Sequence, residues 1–173
     1  MRMIGKKISN GLTVIELLVA LAIAAVMLAY AVPAFNDFAD QRRIASSSNM
    51  IIAGVNYARS EAARLGTSVT LQTMNGGDDT NEWGPGFCVT AGTPGNCDTP
   101  LNIFEPEANV TLDGIDGLDG LVSLTFDSTG MLTGAVDGDI EVCGASAAED
   151  PGRVIRLNAI GRASSGELEC FAE

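Results

Sequence analysis

An apolar run near the amino terminus, GLTVIELLVALAIAAVMLAYAVPAF at residues 11–35, constrains this chain more than any other feature. Residues 12–35 make about 36 Å of helix, which is long enough to cross a hydrocarbon core of about 30 Å. One carboxylate, Glu16, lies about one helical turn into the run, where a buried charge costs about 2.5–3.5 kcal/mol. The run therefore predicts a membrane-spanning helix that carries one acid with a specific role.

The ten residues before Gly11 are short and polar and carry three positive charges, Arg2, Lys6 and Lys7. By the positive-inside rule they predict a cytoplasmic amino terminus and a head on the other side of the membrane. An ordinary secretory signal has its cleavage site after the apolar core, whereas the candidate cleavage point here, Gly11, precedes it. Cleavage at Gly11 therefore leaves the apolar helix on the mature protein.

The segment GLTVIELLVALAIAAVMLAYAVP resembles the leader junction and N-terminal helix of type IV pilins and of type II secretion pseudopilins. Those proteins are cut after the glycine by a prepilin peptidase, which then methylates the new amino terminus. The resemblance implies cleavage between Gly11 and Leu12, although Leu12 replaces the phenylalanine of most members. It also implies that Glu16 pairs with the N-terminal amine of a neighbouring pilin. Pro33 removes one backbone donor, so we expect a kink or local loosening of the helix there.

Four later segments are similar in order and spacing to minor pilins and minor pseudopilins of the FimT/GspH type. They are YARSEAARLGTSVTL, EWGPGF, LTFDSTG and RVIRLNAIGR. Together with the leader, the resemblance covers residues 5–162, with an unmatched middle between about Cys88 and Leu121. One departure is Gln72, which stands where that family often has a cysteine, so the family's disulfide scheme is not transferred.

This resemblance implies a non-enzymatic minor pilin subunit that is incorporated into, or primes assembly of, a type IV pilus-like fibre. An H-type minor pseudopilin of type II protein secretion is the first alternative, and a pilus-borne DNA-binding subunit is the second. The implied partners are other pilins or pseudopilins, the prepilin peptidase and the inner membrane before assembly. The implied final location is an extracellular pilus or a periplasmic pseudopilus.

Beyond the apolar run, the pattern changes to that of an amphipathic helix ending near Gly66. The apolar positions at helical spacing are Ile44, Ile51, Val55, Ala58, Ala62 and Leu65. Short alternating or β-branched runs follow, separated by Gly, Asp, Asn and Pro, as in antiparallel strands. They are TSVTLQT, GFCVTA, LVSLTF, DIEVC, RVIRLNA and ELECF. The predicted fold class is α+β, in which a long N-terminal helix packs on an antiparallel β-sheet head.

We expect four parts along the chain. They are a cleaved leader over residues 1–11, a transmembrane or filament-core helix over 12–35, an amphipathic helix half over 36–66, and an antiparallel β head domain over 67–173. The last part contains all four cysteines, Cys88, Cys97, Cys143 and Cys170. Beyond a membrane, cysteines spaced this widely predict two disulfides. Three pairings are open, and joining the first two and the last two closes the more local loops.

The charged residues and the absence of histidine limit the chemistry. No histidine occurs, which excludes Ser-His-Asp and Cys-His nucleophile arrangements and every histidine metal site. After Gly11 the chain keeps seven arginines against 22 acids, a net charge of 7 − 22 = −15. Such a charge opposes non-specific attraction to polyphosphates. We therefore expect no enzyme, no cofactor and no metal site.

A basic cluster near the carboxyl end is the basis of the DNA-binding alternative. Some FimT-type pilins take part in DNA uptake and carry a Gly-Arg-x-Arg motif in this region. Here Gly161 and Arg162 match the motif, but Ser164 replaces its second arginine. The candidate phosphate contacts are Arg153, Arg156 and Arg162. In so acidic a head they predict weak binding that salt removes.

Two further features of the head allow a structural and a ligand-binding interpretation. The repeat LDGIDGLDGL places Asp113, Asp116 and Asp119 at three-residue spacing, which suits either tight turns or a calcium site without the EF-hand pattern. We expect turns. Trp83, between an acidic stretch and GPGF, is expected to anchor a loop in the core.

Overall fold

The computed structural model describes residues 13–74, 81–134, 136–144 and 151–170. The chain divides into two compact units, Met1–Ala39 and Asp40–Glu173. One long helix, α1, runs over Val14–Leu65 and is followed by eight strands. This architecture confirms the predicted α+β class with a long N-terminal helix and an antiparallel head.

Both ends of α1 have a local cause. At the amino end, the Thr13 hydroxyl accepts a hydrogen bond from the Glu16 backbone N–H at 3.3 Å, as an N-cap does. At the carboxyl end, Gly66 has a φ of 64°, and its N–H donates to the Ala62 carbonyl at 3.0 Å. A residue without Cβ adopts this left-handed conformation at little cost, so the helix ends where the sequence predicts.

The strands form two four-stranded sheets, and within each sheet all neighbouring strands are antiparallel. Sheet A has the order β3-β2-β1-β5 and sheet B the order β4-β6-β7-β8. The strands are β1 (Val69–Thr73), β2 (Phe87–Ala91), β3 (Asn102–Phe104), β4 (Val110–Asp116), β5 (Ser123–Phe126), β6 (Gly138–Gly144), β7 (Pro151–Leu157) and β8 (Ala163–Glu169).

The second half of α1 contributes one apolar stripe to the core of the Asp40–Glu173 unit. Its buried members are Ile44, Ile51, Val55, Ala58 and Ala62. Leu65, which the spacing also assigned to the stripe, is 39% exposed, so that part of the prediction is wrong. Leu65 is the final residue of α1, and the chain leaves the helix there before it enters β1.

A glycine brings α1 unusually close to sheet A. A Cβ placed on Gly54 meets Phe87 Cε2 at 2.6 Å and Leu71 Cδ1 at 3.4 Å. Phe87 is itself confined, because Trp83 packs edge-on at 6.1 Å and Phe104 stacks at 5.2 Å between ring centroids. The absence of a side chain at position 54 therefore sets the distance between helix and sheet.

The Asp-Gly repeat differs from the expected succession of turns. Its first part belongs to β4, in which Val110 and Leu112 are buried and Asp113 is half-buried. Only residues 117–120 form the turn that follows. Gly114 and Gly117 make close backbone contacts, with the Leu118 and Asp137 carbonyls, that a Cβ would prevent. The glycines of the repeat therefore serve a tightly folded strand and turn.

Candidate assembly surface

The first half of α1 presents a continuous apolar surface. Between Thr13 and Asn36, Glu16 is the only charged residue in the sequence. The large apolar side chains of this segment are exposed on all sides of the helix, at 52–76% of their full area. They are Val14, Ile15, Leu17, Leu18, Val19, Leu21, Ile23, Val26, Met27, Leu28, Tyr30, Val32 and Phe35. By length and composition, α1 contains a stretch able to cross a membrane.

Glu16 lies in the first turn of α1 and is exposed. Its backbone N–H is bonded to Thr13, and its carboxylate stands at the positive end of the helix dipole, where an acid is favoured. The helix continues through position 33 without interruption. Gly11 and Leu12, the predicted cleavage pair, lie outside the described residues.

The LTFDSTG segment forms a tight turn that is hydrogen-bonded to α1. The Asp127 carboxylate accepts the Thr129 and Met131 backbone N–H groups at 2.8 and 3.1 Å. From α1, Arg59 Nε donates to the Gly130 carbonyl at 3.0 Å, and Gly130 has a φ of 77°. Two of the segments that resemble FimT/GspH pilins are thus joined by one side chain. Their spacing in the sequence did not show this contact.

The residues at the start of EWGPGF, with Asn81 before them, cover the edge of sheet B at β4. Asn81 Oδ1 accepts the Leu112 N–H at 2.8 Å, and the Trp83 N–H donates to the Leu112 carbonyl at 3.0 Å. Between them, the Glu82 carboxylate accepts the Gly114 and Gly120 N–H groups, both at 3.0 Å. We call residues 81–83 the strap. Trp83 is fully buried, as the sequence predicts of a core anchor.

Glu82 is 1% exposed, and its carboxylate interacts with the carboxyl group of Asp113. Burial acts to raise the pKa of Glu82, but hydrogen bonds from Gly114, its own N–H, Asp113 and Gly120 outweigh burial and lower it. For Asp113, burial, the hydrogen bond to Glu82 and the charges of Glu82, Glu141 and Asp119 raise the pKa to about 7. The sequence does not indicate this pair, because only the fold brings residues 82 and 113 together.

Two disulfides close loops of the head. Cys88 is joined to Cys97 and Cys143 to Cys170, which is the pairing with the more local loops. Gln72, which departs from the family pattern, spans the first loop. Its Nε2 lies 3.7 Å from both sulfurs, and its Oε1 accepts the Gly95 N–H at 3.0 Å.

The three candidate DNA-binding arginines do not form one basic face. Arg153 lines a surface cavity of about 610 Å³ together with Glu167 and Glu169. Arg156 and Arg162 line another, of about 400 Å³, whose wall also contains acids. There Arg156 Nε lies 3.9 Å from the Asp139 carboxylate. Acids next to each arginine weaken attraction for phosphate, so the arrangement does not favour a nucleic-acid interface.

The described part of the chain contains no group of three or more acids or cysteines placed to hold a metal ion. Asp113 faces the strap, whereas Asp116 ends β4 with a φ of 56° and Asp119 lies in the turn beyond. Within the described residues, the three aspartates of the repeat do not form a metal site.

Comparisons with known proteins agree with this geometry. Residues 47–161 match the family model described as type II transport protein GspH, and residues 6–32 match the prokaryotic N-terminal methylation motif. A search of curated proteins finds no match.

Solved structures with a similar fold include two crystal forms of the type IV minor pilin FimU of Pseudomonas aeruginosa strain PAO1. The P21 form has 24% identity and a TM-score of 0.62, covering 75% of this chain and 92% of that one. The P65 form has 24% identity and a TM-score of 0.58, covering 70% and 90%. The minor pseudopilin EpsH from the type 2 secretion system of Vibrio cholerae has 13% identity and a TM-score of 0.49, covering 73% and 97%.

The methylation motif overlaps the exposed apolar half of α1, and together they indicate a membrane-anchored protein. The GspH match extends from within α1 through β7 to Gly161 and ends before β8. The chain therefore belongs to the GspH family, with the fold of a type IV pilin.

Proposed function

We propose that this chain is a minor pilin, a non-enzymatic subunit that is incorporated into, or primes assembly of, a type IV pilus-like fibre. The supporting observation is the division of α1 into an exposed apolar half and a half built into a folded head. An apolar surface of this extent is stable in lipid or against other apolar helices. A subunit that moves from a bilayer into a helical bundle meets both conditions.

In the proposed mechanism, a prepilin peptidase cuts after Gly11 and methylates the amine of Leu12. Glu16 then lies one turn from that amine in its own chain and, in a bundle, next to the amine of a neighbouring subunit. Each charge is costly alone in an apolar surrounding, whereas a close pair offsets much of that cost. Glu16 thereby selects the axial position of the next subunit, and Pro33 allows the helix to bend on leaving the bilayer.

The same proposal gives the topology. The basic residues before Gly11 remain in the cytoplasm, and residues 12–35 span the inner membrane before assembly. The head, residues 67–173, faces the periplasm, where its disulfides are stable. After assembly the head is displayed on an extracellular pilus.

A second candidate function is that of an H-type pseudopilin, in a short periplasmic fibre of type II secretion. The observation that supports it is the description of the matching family as type II transport protein. The two candidates share the leader, the helix and the head, so the experiment has to measure both outputs.

The test compares a strain lacking this protein with its parent for sheared surface fibre and for type II secreted protein. The deletion strain is complemented with the wild-type chain, with Glu16→Ala, and with Asp37→Ala as a matched control. Asp37 is an exposed acid of the same helix beyond the apolar run. Immunoblots of the membrane fraction establish equal amounts of each variant.

We expect the deletion to lose surface fibre, Asp37→Ala to restore it, and Glu16→Ala to reach the membrane without restoring it. Loss of secretion with normal fibre supports the pseudopilin candidate instead. If fibre and secretion are both normal in the deletion strain, the proposed function is wrong. If Glu16→Ala restores fibre fully, the pairing role of Glu16 is wrong.

A further inference from the structure

The strap of residues 81–83 is held on β4 by polar contacts. Within sheet B, β4 has β6 as its strand neighbour on one side, and on the other side the strap occupies its backbone groups. The strap makes four hydrogen bonds with β4 and the turn after it: two with the Leu112 backbone of β4, one from the Gly114 N–H of β4 to Glu82, and one from the Gly120 N–H of the following turn to Glu82. A strand edge covered in this way is protected from pairing with other chains.

The Glu82 carboxylate is the centre of the strap, and its surroundings are acidic. Asp113 adjoins it from β4, and Asp113 lies opposite Glu141 of β6 in the strand register. Asp119 approaches from the turn after β4. The charged groups near Asp113 are thus Glu82 from the strap, Glu141 from β6 and Asp119 from the turn.

One oxygen of Asp113, Oδ1, is buried without a hydrogen-bond partner. A carboxylate with an unpaired buried oxygen beside another carboxylate is strongly disfavoured, whereas a neutral carboxylic acid donates its proton to the neighbour. We propose that Asp113 and Glu82 form a proton-dependent clasp, which holds the strap on β4 while Asp113 is protonated and loosens when that proton leaves to solvent.

The direction of the pH dependence follows from the two carboxyl groups. Burial, the hydrogen bond to Glu82 and the neighbouring acids raise the pKa of Asp113 to about 7, so Asp113 binds a proton more tightly with the clasp closed. In the open state its pKa returns to the ordinary value of about 3.9. Closure is therefore favoured in acid and weakens as the pH rises toward 7. Glu82, whose pKa is lowered, stays ionised over this range.

The clasp is tested by hydrogen exchange on the processed full-length chain in detergent micelles. Mass spectrometry follows the peptide of residues 110–121, which contains the Leu112, Gly114 and Gly120 amides, with intrinsic exchange rates corrected for pH. Between about pH 5 and about pH 7, we expect the opening equilibrium constant to rise by up to about tenfold per pH unit and then to level off.

Two substitutions separate the clasp from a general effect of pH. Asp113→Asn keeps the shape and a donor toward Glu82 but does not titrate, so its opening constant should be independent of pH. Asp116→Asn is the matched control, because Asp116 is an exposed member of the same repeat and asparagine tolerates its φ of 56°. It should retain the wild-type slope.

A wild-type opening constant that does not change with pH overturns the clasp, and so does an equal slope in Asp113→Asn. If Asp113→Asn fails to fold, carbon-13 titration of the wild-type carboxyl groups decides. The clasp is supported by a carboxyl carbon that titrates near pH 7 in protein labelled at all carboxyl groups and is absent from protein labelled at glutamate alone. This difference assigns the titration to an aspartate. Titration of every aspartate below about pH 5 overturns it.

Discussion

The close approach of α1 to sheet A at Gly54 leads to a prediction in which two effects have opposite signs. Gly54→Ala removes a glycine from a helix interior, which by itself stabilises a helix by about 0.8–1.0 kcal/mol. The new methyl group, however, stands 2.6 Å from Phe87 Cε2, far inside the ordinary carbon–carbon contact of about 3.5–4.0 Å.

The steric effect should exceed the gain in helix propensity. Phe87 is fully buried and lies between the rings of Trp83 and Phe104, so it cannot turn aside without disturbing both. Overpacking of such a site costs about 1–3 kcal/mol. Subtracting the gain of about 0.8–1.0 kcal/mol leaves a net loss of up to about 2 kcal/mol, or up to roughly 8 °C in Tm for a chain of this size.

The assay is thermal unfolding of the processed chain in micelles, with Ala53→Gly as calibration. Ala53 is exposed on the neighbouring helical position, so its replacement measures the propensity effect alone, a loss of about 1 kcal/mol. A Gly54→Ala protein that is more stable than wild type by a similar amount would refute the reasoning. That result means that helix and sheet move apart freely at this point.

Two further predictions concern the head. Replacing both cysteines of the Cys143–Cys170 disulfide by alanine should lower the free energy of unfolding by about 3.5 kcal/mol. The same replacement of Cys88 and Cys97 should lower it by about 2.6 kcal/mol, because their shorter loop restricts the unfolded chain less. Urea denaturation measures both, and the reverse order would contradict loop entropy as the cause. Because Asp113 has a raised pKa in the folded state, its contribution to stability is complete below about pH 4 and is lost as the pH rises to about 7. The urea midpoint of wild type should therefore fall with rising pH relative to that of Asp113→Asn. Parallel plots of midpoint against pH would contradict the predicted loss of stability above about pH 4.

The helix and most strands were predictable because their determinants are local. Gly66 ends α1 by its own conformation, and five positions of the apolar stripe are buried as the helical period requires. The short strand β3 and the strand β4 were not predicted. β4 contains Asp and Gly, which disfavour strands locally, and its edge is held by residues about 30 positions earlier in the chain.

The candidate assembly surface could be predicted from the sequence, whereas two long-range contacts of the head could not. The exposed apolar helix with its single acid is a property of consecutive residues, so the sequence contained it fully. The contact of Arg59 with the Gly130 carbonyl and the pairing of Glu82 with Asp113 join segments far apart in the chain. Such contacts depend on the completed fold, and no spacing rule reports them.

The packing of α1 in the head also determines how the molecule bears force. The buried stripe from Ile44 to Ala62 extends for about 27 Å along the helix axis at about 1.5 Å per residue. A pull along the axis loads this whole stripe in shear, so its contacts have to break together and not one after another. In the proposed fibre, tension on the apolar half of α1 therefore reaches the head through this buried stripe.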